Sequence, residues 1–219
     1  GVMTTGAMQT LARANRVVPG TSVVIAGNGP LNLQLACEIL TGGGQVAAVV
    51  EAAPRPSWRQ WRAALALLGA AADLARDGLR YLRQLQGAGV PVFWGSTVLA
   101  CEGAERFAAL HVATPDGARR IAADACALNL GFQPETGLAR ALGAAHRFVD
   151  SGLGRLETIT DADGRTSLPT VFAVGDGAAI GGARIALARG RLAGIAATRD
   201  LGLPAPDAQP ARRALARPG

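Results

Sequence analysis

The most regular stretch of the chain begins with an apolar run, Val23-Val24-Ile25-Ala26, that stops at Gly27-Asn28-Gly29-Pro30. A short unbroken apolar run bounded by turn residues reads as a strand buried on both faces, so Thr21 to Ala26 is expected to be one. Leu31 to Leu40 switches to helical spacing, Gly42-Gly43-Gly44 stops it, and Gln45 to Glu51 is a second apolar run closed by an acid. Strand, tight turn, helix and strand within about thirty residues make a βαβ unit.

Pro54-Arg55-Pro56 breaks this pattern. Trp58, Trp61, Leu65, Leu68 and Ala72 then recur at helical spacing, and Leu79, Leu82 and Leu85 continue it in a second helix that Gly87 and Gly89 end. Strands are expected at Val90 to Trp94, Thr97 to Ala100, Phe107 to Thr114 and Arg119 to Ala122, the last two joined by a Pro115-Asp116-Gly117 turn. Cys126 to Leu130 is a further apolar strand ending at Gly131. Beyond it the pattern predicts a short helix over Leu138 to Leu142, a loop-rich stretch from Val149 to Gly164 with one weak strand, and a buried strand over Val171 to Val174 that ends in Gly175-Asp176. A helix from about Ala183 to Asp200 follows, and the Pro-, Ala- and Arg-rich segment from Pro204 to Gly219 reads as a linker or frayed end.

Composition narrows what this framework can do. The 219 residues suit one large domain or two smaller ones, and a content of 49% hydrophobic but only 4% aromatic residues points to close backbone packing on Ala and Gly. All 22 basic residues are Arg, which excludes a Schiff-base lysine and the lysine of a phosphate-binding P-loop. These arginines, the source of the net charge of +6, are scattered and form no basic stripe interleaved with aromatics, so nucleic acid is not an expected partner. The longest apolar run, Ala63 to Ala72, is too short to span a bilayer. With no secretory signal at the start, a cytoplasmic location is expected. Cys37, Cys101 and Cys126 form no CxxC pair and have no His nearby, so they are expected as buried reduced thiols, without metal or redox-dithiol chemistry. A chain opening on Gly1-Val2 without an initiator Met reads as an excerpt or a processed product.

The turn after the first strand carries the strongest local chemistry. Gly27 permits the sharp bend, Gly29 leaves room for a pyrophosphate against the backbone, and Pro30 suits a first helical turn. With Asn28 and Leu31, these residues would present N–H groups and a helix dipole to an anionic bridge. The third position of the G-x-G-x-x-G pattern is Asn32 instead of Gly, which departs from the usual close helix–strand packing. Glu51, about twenty residues downstream at a strand end, is placed to accept from both ribose hydroxyls and to repel a 2′-phosphate, so NAD is expected over NADP. Arg55 lies close enough to bear on that preference.

The stretch from Asp161 to Asp176, Asp-Ala-Asp-Gly-Arg-Thr-Ser-Leu-Pro-Thr-Val-Phe-Ala-Val-Gly-Asp, closely resembles the second flavin-binding motif of the two-dinucleotide-binding flavoproteins. That superfamily includes the glutathione- and thioredoxin-reductase-like pyridine nucleotide-disulfide oxidoreductases. The resemblance implies FAD, with Asp176 at the ribityl chain and Gly175 giving backbone clearance. It also implies that Gly181-Gly182-Ala183 opens a helix toward the pyrimidine end of the flavin, where the dipole stabilises negative charge. Gly131-Phe132-Gln133-Pro134-Glu135-Thr136 is similar to the G-x-x-P-x-T stretch where chains of this superfamily leave the NAD domain.

More narrowly, Gly1-Val2-Met3-Thr4-Thr5-Gly6-Ala7, Val18-Pro19-Gly20 and the later Gly-Arg-Thr-Ser and Gly-Asp-Gly stretches look like the FAD subunits of heteromeric amine-oxidising complexes. That family contains opine oxidase, hydrogen cyanide synthase and dye-linked proline dehydrogenase subunits. The likeness implies an FAD/NAD(P)-dependent oxidoreductase that moves hydride or electrons between a nicotinamide and FAD, beside a partner subunit that oxidises an amine or amino acid. Family members carry an N-terminal G-x-G-x-x-G for the ADP half of FAD and often a C-terminal iron–sulfur module. Neither pattern occurs in these 219 residues, so the isolated chain is expected to hold FAD weakly or not at all. Two other readings remain: an NADH-dependent reductase of a ferredoxin or quinone, and a non-catalytic dinucleotide-binding subunit that self-associates through an apolar face.

The expected architecture is mixed α/β. Residues 1–19 would be a linker and 20–126 a Rossmann-like NAD(P)-binding domain with a small antiparallel connection. Residues 127–200 would be the C-terminal part of a second, FAD-binding Rossmann-like domain, and 201–219 a tail. No acid, base or nucleophile stands out: His111 alternates along a strand, His146 sits in a loop, Trp58 and Trp61 read as packing residues, and Arg184, Arg189 and Arg191 read as solvated or interface residues. This suits chemistry carried by cofactors.

Overall fold

The computed structural model describes residues 1–55, 72–152 and 154–216. The helix expected through Trp58, Trp61, Leu65 and Leu68 lies outside the described residues. The chain divides into two compact units, Gly1–Gly131 and Phe132–Gly219.

The first unit is built on a parallel sheet whose strands are apolar on both faces. Its strands are β1 (Val2–Thr4), β2 (Ser22–Gly27), β3 (Gln45–Glu51), β4 (Val92–Trp94) and β8 (Ala125–Asn129), in the order β1-β8-β2-β3-β4. Alternation along each strand sends side chains to two separate cores. Val23, Ile25, Val49, Ala125 and Ala127 meet Met8 of α1 (Thr5–Ala14), Leu33, Leu35 and Ile39 of α2 (Pro30–Thr41) and Leu85 of α3 (Ala72–Gly87). Val24, Ala26, Ala48, Val50 and Cys126 face the other way, onto Leu110, Val112 and Ile121. Those three come from an antiparallel sheet of β5 (Thr97–Glu102), β6 (Ala109–Thr114) and β7 (Gly117–Ala122), joined in the order β5-β6-β7. A parallel strand covered on both faces must be apolar throughout, which is why β2 reads as an unbroken run.

The first nineteen residues are not a linker. Val2, Met3 and Thr4 pair with Cys126, Ala127 and Leu128, so β1 extends the sheet past β8. Thr4 caps α1 by accepting the Ala7 N–H at 3.2 Å, and Met8 on that helix is fully buried. The boundary placed at residue 126 also moves, because β8 pairs with both β1 and β2 and its five residues stay in the first unit up to Gly131. The Asp124 carboxylate secures the entry to β2, accepting the N–H groups of Thr21 and Ser22 at 2.8 Å each and the Thr21 hydroxyl. The Thr21 hydroxyl and these N–H donors hold the Asp124 carboxyl below its ordinary range.

The second unit contains α4 (Gly137–Ala141), an antiparallel hairpin of β9 (His146–Asp150) and β10 (Arg155–Thr158), a 3-10 turn (Gly175–Gly177) and α5 (Gly182–Asp200). The expected strand over Val171 to Val174 is absent: its backbone makes one isolated bridge, Phe172 to Arg165, and all four residues are half-buried. An apolar run becomes a strand only where neighbours accept its ladder bonds, and the described residues of this unit supply none beyond that bridge. The expected tail is not frayed either. Gln209–Ala216 forms a final helix, α6, which lays Ala211 and Leu215 on Leu192 and Ile195 of α5.

Candidate functional site

The turn that leaves β2 is held from three sides. Gly27 has φ +133° and lies so close to β8 that a Cβ would overlap the Asn129 carbonyl. That carbonyl accepts the Asn28 N–H at 2.8 Å, and the Asn129 side chain returns a bond from Nδ2 to the Asn28 carbonyl at 3.0 Å. From β3, Glu51 Oε2 accepts the Gly29 N–H at 3.1 Å and Oε1 accepts the Ala53 N–H at 3.0 Å. The Ala52 N–H donates to the Gly27 carbonyl at 2.8 Å.

Above this clamp the loop is open. Gly29, at φ +107°, would carry a Cβ into free space, and Asn28 and Pro30 are exposed while Leu31 is half-buried. The helix α2 starts at Pro30 with Gly29 at its cap, and among the described residues no side chain caps it. The Leu31 N–H and the positive end of the α2 dipole, beside a glycine with no side chain, form a surface that fits an anionic group. Gly27, Asn28, Gly29, Pro30 and Leu31 thus lie in one turn, and Glu51 is bonded to its backbone. Gly131 joins them, because its N–H donates to Asn129 Oδ1 at 3.2 Å.

Glu51 sits differently from the simplest expectation. It is only 4% exposed, and its two oxygens brace the loop backbone instead of projecting freely to solvent. A carboxylate has about four lone-pair sites, so each oxygen keeps one for a further donor. At the third motif position, the fully buried Asn32 takes the Thr5 hydroxyl on Oδ1 at 3.1 Å. This polar pair with α1 replaces the close packing a glycine would give, and leaves Asn32 Nδ2 without a partner among the described residues.

Sequence spacing pointed to Glu51 but not to Asn129, which is 101 positions from Asn28 and gives no local signal. The cysteines are a further correction. Cys37 and Cys126 are buried as expected but Cys101 is exposed, and although far apart in sequence Cys101 and Cys126 are neighbours in the fold.

In the second unit, Gly175 and Asp176 lie in the 3-10 turn, and Gly182 and Ala183 open α5 with Gly181 as a cap that makes no side-chain bond. The Asp176 side chain is exposed, and its backbone carbonyl accepts the Glu135 N–H at 2.8 Å. The stretch Phe132 to Thr136 is thus brought to the Gly-Asp-Gly turn. Gly175 packs tightly on α5, where a Cβ would come within 3.3 Å of Ala186. The exposed Asp176 carboxylate can accept hydrogen bonds from hydroxyl groups, and the uncapped start of the 19-residue helix offers N–H groups and the positive end of a dipole. Buried Thr158, which sequence reasoning passed over, supports this turn by donating from Oγ1 to the Gly177 carbonyl and from N–H to the Ala178 carbonyl, each at 3.1 Å.

His111 is engaged with Glu102 at 2.6 Å on the antiparallel sheet, as a hydrogen-bonded strand residue. His146 places Nδ1 2.7 Å from the Ala144 carbonyl and Nε2 3.1 Å from the Thr158 hydroxyl. Among the described residues there is no group of three or more His, Cys, Asp or Glu able to hold a metal, and no helix long and apolar enough to cross a membrane.

Residues 2–191 match the family model described as pyridine nucleotide-disulphide oxidoreductase. The chain is 34% identical to the hydrogen cyanide synthase component HcnB of Pseudomonas aeruginosa, over 89% of this chain and 43% of that protein. It is 32% identical to an opine oxidase subunit of Rhizobium meliloti, over 92% of this chain and 38% of that one. It therefore spans less than half the length of either relative. Among solved structures, an FAD-dependent pyridine nucleotide-disulphide oxidoreductase from Desulfovibrio vulgaris superposes with a TM-score of 0.63 at 24% identity, covering 91% of this chain and 48% of that one.

Proposed function

Because the chain belongs to the pyridine nucleotide-disulphide oxidoreductase family, we propose that its first unit binds the nicotinamide dinucleotide and its second contributes part of a flavin site. The observation that carries this reading is the open cradle over Gly29, uncapped at α2 and braced from below by Glu51. In it, the Leu31 N–H and the α2 dipole would hold the diphosphate and the spare lone pairs of Glu51 would receive ribose hydroxyls. A carboxylate at that position repels a 2′-phosphate, so the reading commits to NAD. Asp176 and the start of α5 would hold the ribityl chain and pyrimidine end of FAD, and FAD when bound would supply the hydride acceptor or donor chemistry.

Both relatives are named as subunits, one of an oxidase and one of a synthase. The corresponding role for the whole protein is to pass electrons between FAD and a nicotinamide while a partner subunit oxidises an amine or amino acid. The direct test is a titration of this chain with NADH and NADPH, followed by nicotinamide fluorescence. Tighter binding of NADH, with the preference reduced about tenfold or more in Glu51→Gln, supports the reading. Equal or tighter binding of NADPH removes the assigned specificity, and no binding of either removes the cradle.

A further inference from the structure

Cys101 lies opposite Leu110 in the β5–β6 register. Side chains directly opposed in an antiparallel pair share a face, and Leu110 is fully buried in the layer between the two sheets. Cys101 therefore lies on the face of β5 that meets that layer, at its open margin, since β5 is an outer strand of the three-stranded sheet and the Cys101 side chain is exposed. Cys126 enters the same layer from the other side, beside Val24 and Leu110. The two thiols are neighbours there, near enough for Cys101 to act on the Cys126 thiol.

Access to the pair is one-sided. Cys126 is 0% exposed, whereas Cys101 is exposed and lines a surface pocket of about 190 Å³ together with Gly1, Val2 and Phe107. The same end of the chain touches the buried partner, since the Cys126 N–H donates to the Gly1 carbonyl at 2.6 Å. A small thiol reagent can reach one sulfur directly, and the other only through the first. The third cysteine, Cys37, packs in the helix-side core on the opposite face of the parallel sheet.

We propose that Cys101 and Cys126 form a redox-responsive dithiol, closing to a disulfide between β5 and β8 when a low-molecular-weight disulfide takes up their two electrons. The Cys101 thiolate attacks one sulfur of the small disulfide, whose S–S bond breaks and releases the first small thiolate, which takes a proton. The Cys126 sulfur, having given its proton to solvent base, then attacks the Cys101 sulfur and expels the second small thiolate, which is protonated in turn. One small disulfide becomes two thiols, and two protein thiols become one disulfide. Burial, then the neighbouring Cys101, pushes the Cys126 thiol up to about 12, which makes the second attack the slower one. The bulge between Val98 and Ala100 interrupts β5 close to Cys101, where a strand on the sheet's edge can shift toward β8.

The test incubates the full chain with oxidised glutathione and follows free thiols and intact mass. The expected product has one titratable thiol of the original three, no added glutathione, and a peptide linking Cys101 to Cys126. Cys126→Ala should stop at a glutathione adduct on Cys101, and Cys101→Ser should keep Cys126 reduced. A wild-type chain that ends as the Cys101 adduct, or that keeps all three thiols, overturns the proposal. The wild-type result decides even if a variant fails to fold.

Discussion

Asn129 holds Asn28 at both of its backbone groups, taking the N–H on its own carbonyl at 2.8 Å and giving its side-chain amide to the Asn28 carbonyl at 3.0 Å. A residue at the end of β8 thereby fixes the loop that ends β2. Asn129→Ala leaves the backbone bond but strands the Asn28 carbonyl and frees Gly131 from Oδ1. The expected loss is about 1–2 kcal/mol of stability, with weaker NADH binding, read by urea denaturation and nicotinamide fluorescence.

The two loop glycines should respond differently to alanine. At Gly27 the added methyl overlaps the Asn129 carbonyl, so Gly27→Ala must displace a strand, and a large drop in denaturation midpoint is expected. At Gly29 the methyl meets nothing, leaving only the cost of an unfavourable backbone conformation, about 1–3 kcal/mol. Yet that methyl would occupy the cradle, so Gly29→Ala should stay folded and lose dinucleotide affinity. Normal NADH affinity in this variant would place the ligand elsewhere.

Thr158→Val tests the second unit. It keeps the shape of a buried side chain but leaves the Gly177 carbonyl and His146 Nε2 without the hydroxyl. A loss of about 1–3 kcal/mol is expected. Amide exchange at Glu135, whose N–H donates to Asp176 in the same turn, should accelerate.

A pH titration isolates the ion cluster on the antiparallel sheet. The Arg120 side chain, then His111, lowers the Glu102 carboxyl from 4.5 to about 2. The folded value is depressed, so the contribution of this cluster is present above pH 4.5 and disappears as the pH falls toward about 2. Carboxyl NMR shifts should show a Glu102 midpoint near that lower value, and Arg120→Ala should move it back toward 4.5.

What the sequence disclosed depended on how local each signal was. The strand, glycine turn, helix and terminal Glu51 lie within about thirty residues, where spacing alone fixes which groups can meet. Asn129 and β1 gave no such signal, because Val2 pairs with Cys126 and Asn28 with Asn129 across more than a hundred positions. Val171 to Val174 failed in the opposite sense: its apolar run was legible, but burial belongs to neighbours and not to the run itself. The tail misled through its prolines, although Pro210 sits in the first turn of α6, where a missing N–H costs little. The cysteine spacings along the chain carry no sign that Cys101 and Cys126 become neighbours across two stacked sheets.

The position of β8 between β1 and β2 has a consequence for biosynthesis. The strand that fills the place between β1 and β2 is the last of the sheet's five to leave the ribosome. Until Asn129 has emerged, the strands made earlier have a gap where it belongs, with open edges of the kind that recruit chaperones or foreign strands. Slow codons placed before this point would prolong that exposure, whereas a pause after it would fall on a nascent unit already able to close.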